Sequence, residues 1–267
     1  MNKRLQDSGR QVARLIGLIV LCLVALQLYF LARIALMVVI APESTAFQRS
    51  EIWRLAVDKH EILWSQQWVP DERISSHLKR AVIASEDAGF ADHSGVEWDA
   101  IEAAWEKNQK AEARAERINQ QLDKREARRA QSGKAPPKPA PHVAPKLIGG
   151  STITQQLAKN LFLSAERTAA RKAQEIVIAY LLEAVLDKRR ILEIYLNSVE
   201  WGEGIFGAQA AARHYFRVDA AQLGAYPAAR LAVMLPAPKR FEKNPGSAYV
   251  SGRAGTIVAR MGGVELP

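Results

Sequence analysis

The sequence predicts a mainly helical domain carried on an N-terminal transmembrane helix. This rests on the apolar run Leu15–Ile40, on helical periodicity recurring from Ile74 to Leu235, and on the lack of any sustained alternating strand pattern. With 267 residues and 48% hydrophobic content, the chain can build one sizeable domain with appendages. A net charge of +9 and a pI near 9.7 point to an anionic partner: nucleic acid, anionic lipid or a phosphorylated substrate. The only cysteine, Cys22, lies inside the apolar run, which excludes a disulfide framework and a cysteine metal site.

Residues 1–14 carry Lys3, Arg4, Arg10 and Arg14 against Asp7 alone, the pattern of a cytoplasmic tail. Leu15–Ile40 is interrupted only by Gln27 and Arg33, and it exceeds the roughly 20 residues that cross a bilayer as a helix. Snorkelling or tilt accommodates Arg33. The run is too long for an ordinary signal-peptide core, so an uncleaved anchor is expected, with residues 41–267 outside the cytoplasm. That placement argues against nucleic acid. Trp53, Trp64 and Trp68 fit either headgroup-level aromatics or core.

Pro70-Asp71-Glu72 reads as a helix start, continued by Ile74, Leu78, Ala81 and Val82 at helical spacing. Ser76 and Lys79 match the S-x-x-K pattern of penicillin-interacting serine enzymes, but no K-T-G or S-D-N partner follows, so the match is read as chance. The helix ends in Glu86-Asp87, followed by a glycine-containing loop with Phe90 and His93. Val82-Ile83-Ala84 would draw Glu86 toward the core, where a partly buried carboxylate gains a raised pKa and becomes a useful general base. Ala103–Lys146 is charged and alanine-rich, then proline-rich, and lacks apolar residues at core spacing. It is expected to be an exposed insertion, helical and then extended, either solvated or touching lipid headgroups.

Gly149-Gly150 is expected to turn the chain into a helix capped by Ser151 and Thr152, whose free N–H groups would form an anion seat. Gln155, Gln156, Lys159 and Asn160 lie on that helix, with Gln155 and Lys159 on one face. After a break at Ser164–Thr168, Arg171 and Lys172 precede Glu175 by one turn. Donors, cations and a carboxylate together suit a phosphate-like leaving group and a hydroxyl to be activated. Further on, Ile191–Asn197 reads as a buried helix, Trp201-Gly202-Glu203-Gly204 as a turn and Ala208–Phe216 as a small-residue helix. Leu231–Leu235 reads as a buried segment stopped by Pro236.

These residues resemble the peptidoglycan glycosyltransferase family, and most closely its monofunctional, membrane-anchored members. The family's blocks appear in order as EDAGFADHSG from Glu86, GGSTITQQLAKN from Gly149 and RKAQEIVIAYLLE from Arg171. RRILEIYLNSVEWGEGIFGAQAAARHYF from Arg189 and LAVMLPAPKRFEKNP from Leu231 complete the set. The resemblance implies a lysozyme-like helical lobe with a smaller membrane-proximal lobe, and polymerisation of lipid II into glycan strands at the bacterial inner membrane. It implies that Glu86 is the base for the acceptor hydroxyl and that Glu175 lies near the donor pyrophosphate. Asp87, Phe90, His93, Ser151, Thr152, Gln155, Gln156, Lys159, Asn160, Arg167, Arg171, Lys172 and Asn197 are implied to face substrate. A divalent ion, Mg or Mn, could share the pyrophosphate, although no cluster has clear ligand spacing. Implied partners are lipid II, the nascent strand, membrane lipids and other cell-wall synthesis or division proteins. Departures from the family pattern are Ala88 where many relatives have Arg, Arg217 where Gly is usual, and a long connection at Ala103–Lys146.

A lysozyme-like muramidase or lytic transglycosylase would also use a carboxyl acid, but would leave Lys159, Arg167, Arg171 and Lys172 without a purpose. A membrane-tethered scaffold for anionic polymer explains the charge but not Glu86 and Glu175.

Overall fold

The computed structural model describes residues 2–131, 141–145, 149–164, 166 and 168–267. The chain divides into two compact units, one made of Met1–Val96 with Thr152–Pro267 and the other of Glu97–Ser151.

In the larger unit the first helix, α1, runs over Asn2–Leu36, and Gly9–Leu36 is long and apolar enough to cross a membrane. Its apolar side chains from Val12 to Val24 are exposed, whereas Phe30, Ile34 and the following Met37 are buried. The helix stops at Leu36, short of the expected Ile40, and turns through Met37–Ile40. Pro42 disfavours helical backbone just ahead of it, and Arg190 Nε captures the freed carbonyl of Met37 at 2.9 Å.

Helix α2 (Ala46–Asp58) begins with a capping box between Thr45 and Gln48. The tryptophans in and after it are not core: Trp53 is 73% and Trp64 38% exposed, while Arg190 lies over the half-buried Trp68 ring at 5.6 Å. A short strand β1 (Ser65–Gln66) and a 3-10 turn at Asp71–Arg73 lead into α3 (Ser76–Glu86), which buries Leu78, Ala81, Val82 and Ile83. Lys79, the lysine of the chance S-x-x-K match, is ion-paired to Asp71 at 2.6 Å.

From Thr152 the chain forms α5 (Ile153–Phe162), α6 (Ala169–Val185) and α7 (Lys188–Ser198), each opened by an oxygen-bearing cap: Thr152, Thr168 and Asp187. Helix α7 is the central rod, with every residue from Ile191 to Ser198 buried. Next, β2 (Glu200–Gly202) and β3 (Ile205–Phe206) pair antiparallel, and β3 pairs parallel with β1; the expected turn at Trp201–Gly204 holds at Glu203-Gly204, while Trp201 and Gly202 belong to β2 of a small sheet. Periodicity could not reveal strands this short. Helices α8 (Ala208–Phe216), α9 (Ala225–Met234), α10 (Pro238–Phe241) and α11 (Ala248–Met261) complete the unit, with α9 and α11 packed on α3.

The smaller unit holds α4 (Trp98–Gln131). The Asn119 amide brackets Val143, giving to its carbonyl at 3.1 Å and taking its N–H at 2.8 Å, and His142 meets Asp123 at 3.0 Å. Gly150 is needed for close approach: a Cβ there would lie 2.8 Å from the Ala100 carbonyl oxygen. The proline-rich residues 132–140 lie outside the described residues.

Candidate active site

Glu86 is the last residue of α3, half-buried, and its C-terminal position lets the side chain leave the core. Gln156 Nε2 of α5 donates to Glu86 Oε2 at 3.0 Å, and the Tyr195 hydroxyl of α7 donates to Gln156 Oε1 at 2.9 Å. The tyrosine thereby fixes which end of the amide faces the carboxylate. Burial pushes the Glu86 pKa above the ordinary carboxylate value. Bonds from Gln156 and Ser85 and the charge of Lys159 pull against that rise, while neighbouring Asp87 adds to it. Burial and the same two carboxylates raise the Tyr195 pKa well above normal, so Tyr195 stays a neutral donor. Tyr195 was expected only as core; its position on an otherwise wholly apolar stripe of α7 gives no sequence sign of a polar role.

Asp87 is buried and turns inward. Its Oδ2 accepts the first N–H of α5, from Ile153, at 2.9 Å, and its Oδ1 accepts from His93 Nε2 at 2.8 Å. Gly95 N donates to His93 Nδ1 at 3.1 Å, which sets the ring in the neutral tautomer with the proton on Nε2. Thr152 accepts Gln155 N at 3.1 Å and gives its hydroxyl to Gly95 O at 2.6 Å, and Gln155 Oε1 returns to Thr152 N at 3.0 Å. The expected anion seat at this N-terminus is therefore taken internally, by Asp87 and by the capping box.

Four further expected substrate-facing residues are buried. Phe90 is completely buried beneath Lys188 Nζ, 4.6 Å above its ring, so it is a packing residue. Asn197 is completely buried and clamps the strand of chain at Val69, accepting from its N and donating to its O at 2.9 Å each. Gln155 is wholly enclosed, its Nε2 without an acceptor among the described residues. Asn160 is also buried. Ser151 ends the smaller unit, and Arg167 lies outside the described residues.

The loop after Glu86 is held from below. Lys188 Nζ donates to His93 O at 2.6 Å and pairs with Glu183 at 2.9 Å, and Thr154 also bonds Glu183 at 2.6 Å. Gly95 closes the loop at φ +86, where a Cβ would sit 2.7 Å from the Glu183 side chain.

The second cluster lies on α6, which packs against α5. Glu175 is buried; Arg171 Nη1 meets its Oε2 at 2.8 Å and Lys172 Nζ meets its Oε1. Together the trio carries one positive charge in excess, and Arg171 Nε is buried with no acceptor among the described residues. Lys159 stands on α5 one turn beyond Gln156, close enough for its charge to favour ionised Glu86. Helix α5 thus joins a tuned carboxylate to a cation-rich cluster.

The transglycosylase family profile matches residues 58–135 and 143–262, which covers both clusters and leaves 136–142 unmatched. The chain belongs to the transglycosylase family. The chain is 50% identical to the biosynthetic peptidoglycan transglycosylase of Burkholderia lata over 243 residues, 91% of this chain and 86% of that protein. The likeness to the enzyme of the same name from Burkholderia vietnamiensis is also 50%, and to that from Burkholderia multivorans 49%, each over 243 residues. Helical architecture and family agree, since the domain takes the family's lysozyme-like helical fold.

Proposed function

We propose that this transglycosylase polymerises lipid II into β-1,4-linked glycan strands, inverting the donor centre and releasing polyprenyl pyrophosphate. The observation that carries the reading is Glu86, half-buried and bonded through Gln156 to Tyr195. In the reaction the Glu86 carboxylate accepts the proton of the acceptor 4-hydroxyl. The freed oxygen attacks the donor anomeric carbon, and the bond to the pyrophosphate breaks with its electrons on the leaving oxygen. Lys159, Arg171 and Lys172 lower the cost of that charge as fixed countercharges. Glu175 is a positioning residue here, holding Arg171 and Lys172 in place. The residues do not fit a divalent ion at Glu175, because both its oxygens already carry cationic partners.

Helix α1 serves as a single-pass anchor in the inner membrane with the catalytic unit on the periplasmic side, so enzyme and both lipid-tailed substrates meet in two dimensions. The test is extension of labelled lipid II to polymer that muramidase digests. Glu86→Gln should lower turnover by about 10²–10⁴-fold with the fold kept. Lys159→Ala and Arg171→Ala should weaken use of lipid II sharply. Wild-type turnover in Glu86→Gln, or a native enzyme that cuts glycan and never extends lipid II, would overturn the reading.

A further inference from the structure

Arg14 and Arg33 bracket the uncharged stretch of α1. At about 1.5 Å per residue that stretch spans about 28 Å, close to the roughly 30 Å of a hydrocarbon core. Arg33 therefore lies at headgroup depth on the side of the catalytic unit, whichever way the chain is threaded. There the end of α1, the turn after it and the start of α2 enclose a cavity of about 290 Å³. Its wall is apolar on one side, with Leu36, Met37 and Ile40, and Arg33 and Arg49 also line it.

Both arginines are held by neutral oxygens. Arg33 donates to the Tyr29 hydroxyl at 3.1 Å and lies over that ring, and Arg49 donates to Ser44 O and Oγ at 3.2 and 3.0 Å. Among the described residues no carboxylate pairs with either, in contrast to Arg54, Arg189 and Arg190, which all do. Each guanidinium has five donors and these contacts use few of them. The lining carries two cations against the single carboxylate of Glu43. An excess of positive charge beside an apolar wall at headgroup depth matches a phosphodiester with an acyl-glycerol body and no ammonium.

We propose that this cavity binds the headgroup of one anionic glycerophospholipid, seated between Arg33 and Arg49 with its glycerol end along Leu36, Met37 and Ile40. The site rests on the reading of α1 as a membrane span and is separate from Glu86. It would fix the depth and rotation of α1 against the catalytic unit.

The test is native mass spectrometry of the full chain released from detergent with phosphatidylglycerol or phosphatidylcholine, in the absence of lipid II. Wild type should retain one phosphatidylglycerol in preference to phosphatidylcholine, and inorganic phosphate should not displace it. Arg33→Gln with Arg49→Gln should weaken retention about 30-fold, as expected for two interfacial cations. Arg253→Gln with Arg260→Gln, an equal charge loss on exposed positions of α11, should leave retention unchanged. Equal retention of the two lipids by wild type would overturn the proposal, and that comparison stands even if a variant fails to fold. Displacement by phosphate alone, or retention of polyprenyl pyrophosphate in place of phosphatidylglycerol, would overturn it as well. Lipid II extension measured in parallel separates the two readings: loss of extension with phosphatidylglycerol retained would sink the polymerase assignment and leave this site standing.

Discussion

Glu86 of α3 owes its chemistry to side chains from two other helices, Gln156 of α5 and Tyr195 of α7. Removing the Gln156 amide takes away a bond that favours the ionised carboxylate. Gln156→Leu should therefore raise the Glu86 pKa further and shift the acid limb of the rate profile to higher pH. Tyr195→Phe should move it the same way by less, since the amide is then only free to flip. A limb that stays put or moves to lower pH in Gln156→Leu would count against Glu86 as the titrating base. A different residue-scale effect sits at Arg217, which caps α8 in the left-handed region at φ 60 with its side chain exposed. Most side chains are strained there by about 1–2 kcal/mol, and glycine is not, although its looser unfolded chain offsets part of the gain. Arg217→Gly should stabilise the protein by about 0.5–1 kcal/mol in thermal unfolding.

Where α2, β2 and α10 meet, the elements are joined by charge. Burial would push the Glu51 pKa up, but bonds and charges from Arg54 and Lys239 outweigh it and hold the carboxyl below its usual value. Among the described residues Glu200, on β2, has only Lys239 at 3.8 Å as its ion partner, and burial raises its pKa to about 8 against Lys239's opposing charge. A carboxyl with a folded pKa above its unfolded one lowers stability as pH rises from about 4.5 to about 8, because the unfolded chain ionises first. Glu200→Gln removes that cost. The variant should unfold later than wild type at pH 8 and above, by on the order of 2 kcal/mol, and the two should converge as pH falls toward 4.5. A variant gain that grew at acid pH would contradict the assignment.

On the scale of the whole larger unit, the apolar helix α1 is also part of the fold. Phe30 meets the Phe162 ring edge-on at 5.2 Å, and Gln27 and Gln174 exchange amide hydrogen bonds at 3.0 Å in both directions. Gln27 lies about 9 Å below Arg33 along the helix axis at 1.5 Å per residue. The pair fixes α1 against α6, the helix that carries Glu175. Gln27→Leu should leave the Gln174 amide unmatched and cost about 1 kcal/mol, read as a melting temperature about 2–4 °C lower in detergent. Gln27→Leu with Gln174→Leu should recover most of it. A single variant as stable as wild type would mean that the helices are held by apolar contact alone.

The sequence by itself determined what is local and periodic: the apolar span, the helix cap at Thr152, the buried face of α7, and the carboxylates and cations that carry the family likeness. Each of these is encoded by neighbours within a turn or two. Tertiary structure decided where polar groups point. Asp87 looked like an accessible carboxylate and instead caps α5, because its partner Ile153 is distant in sequence and adjacent only in the fold. Phe90 and Asn197 looked available to a ligand until burial placed one under Lys188 and the other against Val69. The Tyr195–Gln156–Glu86 chain joins α7, α5 and α3. A side-chain hydrogen bond between segments so far apart leaves no local pattern, so it can be known only once packing has brought the donors and acceptors together.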